Sequence, residues 1–308
     1  QGSKRIKMKT LLTGANGLVG STIKAELRLY NRKHLDLREW LPTYTLFKIL
    51  QPEAVIHTAG KVGGLKANMN HMAEFYRDNI MINTNVLEAA RRTGVKKVVS
   101  FLSTCIFPDI AEYPLTEDQL HKGEPHSSNF GYAYAKRMLE VHSRSISTQY
   151  GLNYTCVIPT NIYGPHDNFN LEDSHVLPAL IHKCYLAKRD NTDLIVWGSG
   201  KPLREFIFSK DVGEITQLIL EHYEGTEPMI LSTSEEISIR EAVETIADVM
   251  GFEGNIIFDD TKPDGQYRKP TCNLRLRNFL PEYKFTPFRE GVKQTVDWFV
   301  ENYEECRK

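Results

Sequence analysis

The feature that most narrows what this chain can become is a short apolar strand, Lys9-Thr10-Leu11-Leu12-Thr13, which runs without a spacer into Gly14-Ala15-Asn16-Gly17-Leu18-Val19-Gly20. In that pattern Gly14 and Gly17 allow a tight turn and bring backbone N–H groups close to a pyrophosphate. Gly20 allows close packing of the following helix on the strand, and that helix's N-terminus would add partial positive charge. The loop therefore predicts a bound dinucleotide at the edge of a sheet.

Further apolar runs at Ala54-Val55-Ile56-His57, at 97–102 and at Thr155-Cys156-Val157-Ile158 alternate with helical patterns over about 71–93 and 130–150. Strands alternating with helices predict an α/β chain, a Rossmann-type doubly wound parallel sheet with helices on both faces. After Pro159 long polar loops intervene, followed by an amphipathic helix near 177–188, a strand at 194–197, a helix over 237–250 opened by Ser238 with Glu241 as capping partner, and a last helix near 287–303. This texture predicts a dinucleotide-binding domain over 4–159, with a return segment at about 206–222, and a smaller C-terminal α/β substrate-binding domain over 160–308.

Charge and cysteine usage exclude several classes of function. The 308 residues carry 38 Lys+Arg against 39 Asp+Glu, a net charge of −1, so no nucleic-acid or anionic-membrane partner is expected. No apolar run approaches the roughly 20 residues of a membrane span, and none follows a basic start as in a signal peptide. The five cysteines are scattered without a CxxC pair, which suggests neither a disulfide framework nor a metal site; a cytoplasmic setting is expected.

NAD-selective sites carry an acidic residue about 20 positions after the glycines, to hold the ribose 2′-hydroxyl. Here the region offers Arg32 and Lys33, cations suited to a 2′-phosphate, so NADPH is the expected cofactor. Only 12 positions separate Gly20 from Arg32, too few for a three-turn helix, a loop and a strand. Either the first helix and second strand are reduced, or residues are missing there.

Tyr132 and Lys136 stand at i and i+4 on one helix face. An ammonium beside a phenol lowers its pKa toward neutrality and makes it a usable acid or base. Ser103, at the end of a predicted strand, offers a hydroxyl for the same substrate oxygen. His57, also near a strand end, is the rival for an active-site histidine, but it sits where the cofactor should lie.

The glycine loop, the strand-end Ser103 and the Tyr132/Lys136 pair, in that order, resemble the extended short-chain dehydrogenase/reductase superfamily. The strings His57–Gly64, Leu102–Pro108, Pro159–Phe169, Ser174–Leu180, Trp197–Gly200 and Lys262–Gly265 resemble the GDP-L-fucose synthase family from Thr10 to the C-terminus. That family comprises NADPH-dependent 3,5-epimerases and 4-reductases that convert GDP-4-keto-6-deoxy-D-mannose to GDP-L-fucose. The resemblance implies Cys105 and His175 as the proton-transfer pair, and Tyr132, Ser103 and Lys136 as the reducing group. It implies cofactor contacts from Gly14, Asn16, Gly17, Leu18, Val19, Gly20, Arg32, Lys33, Ala59, Tyr132, Lys136, Pro159, Asn161, Ile162 and His175. On the GDP-sugar side it implies Arg204, Lys183 and Lys262 for the phosphates, and Asn161, Val176 and Trp197 near the nucleotide or sugar. It also implies a homodimer formed through the helices over 71–93 and 130–150. The rivals are a 4-epimerase, a 4,6-dehydratase, and a non-catalytic NADP-sensing protein. A dehydratase would carry an acidic pair where Cys105-Ile106 stands, and a sensing protein would usually have lost the tyrosine or lysine.

Overall fold

The computed structural model describes residues 8–30, 32–262 and 264–308. In chain order the strands of the large sheet are β1 (Thr10–Thr13), β2 (Leu27–Leu29), β3 (Ala54–His57), β4 (Lys97–Phe101) and β5 (Asn153–Pro159). Between them lie α1 (Trp40–Leu50), α2 (Leu65–Asn70), α3 (Met72–Arg92) and α4 (Phe130–Tyr150). The second half contributes β6 (Asn161–Tyr163), α5 (Val176–Asp190), β7 (Leu194–Trp197), β8 (Leu203–Phe208), α6 (Ser209–His222), β9 (Met229–Leu231), β10 (Glu236–Ser238), α7 (Ile239–Met250), β11 (Ile256–Asp259), α8 (Leu274–Phe279) and α9 (Phe288–Glu301).

The large sheet has six strands in the order β2-β1-β3-β4-β5-β9, all parallel. Its central strands are buried on both faces, which is why they read as unbroken apolar runs. Leu11, Val55 and Val98 point into the layer with α1, α3 and α4, while Leu12, Ile56 and Val99 point into the layer with α6. The expected return of the chain extends further than 222, since β9 supplies the sixth strand. A second core forms among α5, α7, α9 and the small sheets β10-β8-β6 and β11-β7.

The glycine loop departs from expectation in one respect. No helix follows Gly20; a single 3-10 turn, Gly20–Thr22, leads to Ile23 and then to β2. In the chain as given the first helix is thus reduced to one turn and the second strand to three residues, and β2 still pairs with β1 in parallel register, Leu12 opposite Arg28. At several places the sequence patterns and the elements agree: α4 spans 130–150, Ser238 Oγ accepts the Glu241 N–H at 3.0 Å at the start of α7, and β7 covers 194–197, whereas α1, α2, α8, β10 and β11 had no expected counterpart.

Of the apolar residues on α3 and α4, Phe75, Val86 and Ile146 are buried within the chain, whereas Met81, Met138, Tyr76 and Phe130 are exposed. Among the described residues no helix is long and apolar enough to cross a membrane.

The joint between the two halves rests on Glu205, a buried carboxylate on β8. It accepts from the Thr271 N–H at 2.9 Å, the Thr271 hydroxyl at 2.5 Å and the Ser232 hydroxyl at 2.8 Å. Removing it leaves a buried N–H without an acceptor, which costs on the order of 2–3 kcal/mol. Glu205→Ala should lower unfolding free energy by about that amount in denaturant titration; an unchanged midpoint would show that water replaces the carboxylate.

Candidate active site

Because every strand of the large sheet runs the same way, their carboxyl ends share one edge, and ligands of such sheets bind there. Gly14 follows β1, Thr58 and Ala59 follow β3, Ser103 follows β4, and Pro159 closes β5. Together they line one cleft of about 620 Å³ that runs from Arg32 and Asp36 at one end to Asp167, His175 and Arg307 at the other. Gly14, Asn16, Gly17, Leu18, Val19, Gly20, Arg32, Ala59, Ser103, Tyr132, Lys136, Pro159, Asn161, Ile162 and His175 all line it.

The glycine loop is suited to an anion. Gly14 has φ of +72°, and a Cβ there would collide with Thr58 and the Ala59 backbone; a Cβ on Gly20 would strike the Gly14 carbonyl. Gly20 therefore serves a backbone-to-backbone approach within the loop rather than the packing of a helix. Among the described residues nothing accepts the N–H groups of Asn16, Leu18 or Val19, all of which line the cleft. Those donors fit a pyrophosphate, and their polarity replaces the helix N-terminus that the fold lacks.

At the ribose end, Arg32 is two-thirds exposed and its Nε donates to Asp36 at 2.9 Å. Lys33 does not line the cleft. Arg38, which sequence reasoning missed, does, and it is held between Asp36 and the buried Asp78. His57 is a structural residue: its Nδ1 lies 2.8 Å from the Thr13 hydroxyl and its Nε2 3.0 Å from Asn83 Oδ1. Burial lowers its pKa to about 3.

Tyr132 and Lys136 are both buried on α4. The ammonium lies 5.8 Å from the centre of the phenol ring and donates to the Phe101 carbonyl at 2.8 Å. Burial lowers the Lys136 pKa to about 8. The phenol does not behave as its spacing from Lys136 suggested: burial, and then the neighbouring Cys105 thiol, raise its pKa above the usual value. Desolvation outweighs the nearby cation, so the unliganded site holds Tyr132 as a neutral proton donor.

Cys105 is half-buried behind Ser103 and Thr104, in the 3-10 turn Thr104–Ile106 rather than on the cleft wall. Burial raises its pKa, opposed by hydrogen bonding to Ser103 and by the charges of Lys269 and Lys136. His175 stands across the cleft at the start of α5, open to it, and burial lowers its pKa.

Of the residues expected to meet the sugar nucleotide, Arg204 lines a smaller cavity that shares Thr104, Thr160 and Asn161 with the main cleft. Lys183 and Trp197 form a separate pair, the ammonium 4.6 Å from the indole ring, with Val176 on the same helix as Lys183. Lys262 is exposed and lines neither cavity. Lys269, seven positions on, occupies the smaller cavity and donates to the Thr104 carbonyl at 2.9 Å. The sequence signal was there, a run of Arg268-Lys269 after the Asp264-Gly265 turn, but spacing alone did not say which lysine enters.

These features can be set beside known proteins. The NAD dependent epimerase/dehydratase family matches residues 10–232. A GDP-L-fucose synthase of Dictyostelium discoideum is 46% identical over 98% of this chain and 98% of its own length. The chain belongs to the GDP-L-fucose synthase family. The Escherichia coli GDP-L-fucose synthase is 36% identical, covering 98% of this chain and 99% of its own. A GDP-L-fucose synthetase from Naegleria fowleri, solved bound to NADP, superposes with a TM-score of 0.92 at 45% identity over 97% of this chain and 94% of that one. That relative is bound to NADP, and the free N–H groups of the glycine loop in this chain suit the pyrophosphate of such a dinucleotide.

Arg32 is the exposed cation at the ribose end, so Arg32→Ala should weaken NADPH binding about tenfold, the worth of one charge-assisted contact, and leave NADH binding unchanged. Titration of both nucleotides checks this, and equal weakening would remove Arg32 from the 2′-phosphate.

Proposed function

We propose that this protein converts GDP-4-keto-6-deoxy-D-mannose to GDP-L-fucose, epimerising C3 and C5 and then reducing C4 with NADPH, all in one cleft. The observation that carries the reading is the continuity of that cleft, from the glycine loop past Ser103, Tyr132 and Lys136 to His175, with Cys105 directly behind Ser103. The domain over 4–159, with a returning segment that begins at about 206 and runs on through β9, holds the cofactor, and the rest of 160–308 holds the GDP-sugar. The exposed Met81, Tyr76, Phe130 and Met138 of α3 and α4 suit pairing with a second copy. A cytoplasmic location accords with the five unpaired thiols.

C3 and C5 are both α to the C4 ketone, so each can lose a proton once the carbonyl is polarised. Tyr132 and Ser103 are the hydroxyls placed to polarise it. Inverting a carbon requires removal of a proton on one face of the ring and return on the other, which calls for two groups on opposite sides. Cys105 and His175 fill those roles. Burial raises the thiol pKa and lowers the imidazole pKa, so at neutral pH the pair carries one transferable proton, as an epimerase pair must. Bound NADPH supplies the hydride for C4. Tyr132 then gives its proton to the C4 oxygen, a step favoured by a phenol that burial keeps protonated. Lys136, anchored on the Phe101 carbonyl, places a positive charge beside the resulting phenolate. Arg204 and Lys269, half-buried cations that line the smaller cavity, would meet the sugar phosphates.

In D2O, Cys105→Ser should abolish exchange of the C3 and C5 protons. Tyr132→Phe should retain exchange but lose reduction by about 10²–10⁴-fold, the usual worth of a general acid; an effect of neither substitution would sink the mechanism. The pH dependence follows from the two shifts. Proton exchange stops when both groups are protonated or both deprotonated, so its kcat/KM should stay level from below pH 6.5, where His175 protonates late, to above 9.0, where Cys105 ionises late. A limb inside that window would assign the proton transfers to other groups.

A further inference from the structure

The loop between β1 and β2 spans residues 14–26, about the dozen that a crossover between parallel strands needs at minimum. In place of a helix it contains one 3-10 turn, so most of its carbonyls have no N–H four residues on to accept from. Side chains take over. Ser21 Oγ donates to the Leu18 carbonyl at 3.1 Å and Thr22 Oγ1 to that of Val19 at 2.7 Å.

Three further carbonyls converge on one group. Arg28, half-buried on β2, donates from Nη1 to the Ile23 carbonyl at 2.5 Å, and from Nη2 to those of Ala15 at 3.1 Å and Gly20 at 3.2 Å. Register places Arg28 beside Leu12, on the sheet face that Val19 and Ile23 cover. Its guanidinium is thus tied to backbone at both ends of the glycine loop. It does not line the cleft.

We propose that Arg28 is a positioning residue for the cofactor: its guanidinium clasps the helix-less glycine loop so that the Asn16, Leu18 and Val19 N–H groups face the pyrophosphate. The planar fork suits the task, because its two terminal nitrogens divide the carbonyls between them, Nη1 on Ile23 and Nη2 on Ala15 and Gly20, where an ammonium would bring all its donors to a single atom. The Ala15 carbonyl turns toward Arg28, so the Asn16 N–H of the same peptide plane faces the opposite way, and the Leu18 and Val19 N–H groups lie in the stretch between the Ala15 and Gly20 anchors. In a Rossmann domain of ordinary length the helix's own hydrogen bonds would do this. The proposal rests on the reading of the cleft as an NADP(H) site, which NADPH binding by the unsubstituted protein tests separately.

The clasp acts on a part common to all the nucleotides, and this separates it from a direct 2′-phosphate contact. By calorimetry, Arg28→Met should weaken NADPH, NADH and ADP-ribose by the same factor, about tenfold or more for the loss of a charge-assisted set of bonds. Affinity for GDP should hold, showing that the chain is folded. In turnover the KM for NADPH should rise, while kcat at saturating NADPH and the KM for the sugar nucleotide stay put. Arg28→Lys should recover only part of the affinity. Without any ligand, the Ser21 and Thr22 amides of the unsubstituted protein should exchange slowly with solvent and those of Arg28→Met rapidly. The proposal is overturned by unchanged nucleotide affinities, by a loss confined to NADPH, by full recovery with lysine, by parallel loss of GDP binding, or by fast exchange of those two amides in the unsubstituted protein.

Discussion

The common direction of the six strands is the constraint from which the rest of this molecule follows. In a parallel sheet each strand ends at the same edge, and the peptide dipoles and loops there face one opening. Residues far apart in the chain, Gly14, Ala59, Ser103 and Pro159, become neighbours only because each lies at or just after a strand end. A shift of any one strand by two residues would carry its functional side chain about 7 Å along the sheet, beyond hydrogen-bond reach of the others. The buried apolar faces prevent this by fixing register.

Burial also sets the chemistry of the groups collected at that edge. Tyr132, Cys105 and Lys136 sit close together and are largely desolvated by the protein around them, and each is pushed toward its uncharged form. A site that must give a proton to a developing alkoxide is served by a phenol that does not ionise early. The cation beside it is of use after the transfer, when the phenolate has formed, more than before it. Charges that remain in the region are anchored on backbone carbonyls: Lys136 on Phe101, Lys269 on Thr104 and Arg137 on Ile106. Carbonyl anchors orient a cation without neutralising it, which leaves its field available to the substrate.

Much of this was legible beforehand. Local order, such as a strand before glycines, an i,i+4 pair or a capping serine, depends on neighbours in the chain, so spacing reveals it; α4 and the Ser238 cap agree with their patterns. Arg28, Arg38 and Lys269 were invisible for the opposite reason. Their partners are backbone carbonyls 5 to 165 positions away, or carboxylates 2 and 40 positions away, and neither leaves a mark in composition or periodicity. Lys262 illustrates the same limit. It has the right charge and lies in a family-like string, yet the turn closed by its own N–H on the Asp259 carbonyl leaves it exposed.

The sequence by itself determined the fold class, the glycine loop with its short crossover, and the residue types available for proton transfer, because these depend on local pattern and on the chemistry of side chains. Tertiary structure decided how those residues behave. It replaced the helix expected after Gly20 with a turn clasped by Arg28, chose Lys269 over Lys262 for the cavity, and turned the Tyr132 shift upward. Each of these outcomes depends on desolvation or on hydrogen bonds between distant segments, and these exist only once the chain has closed on itself.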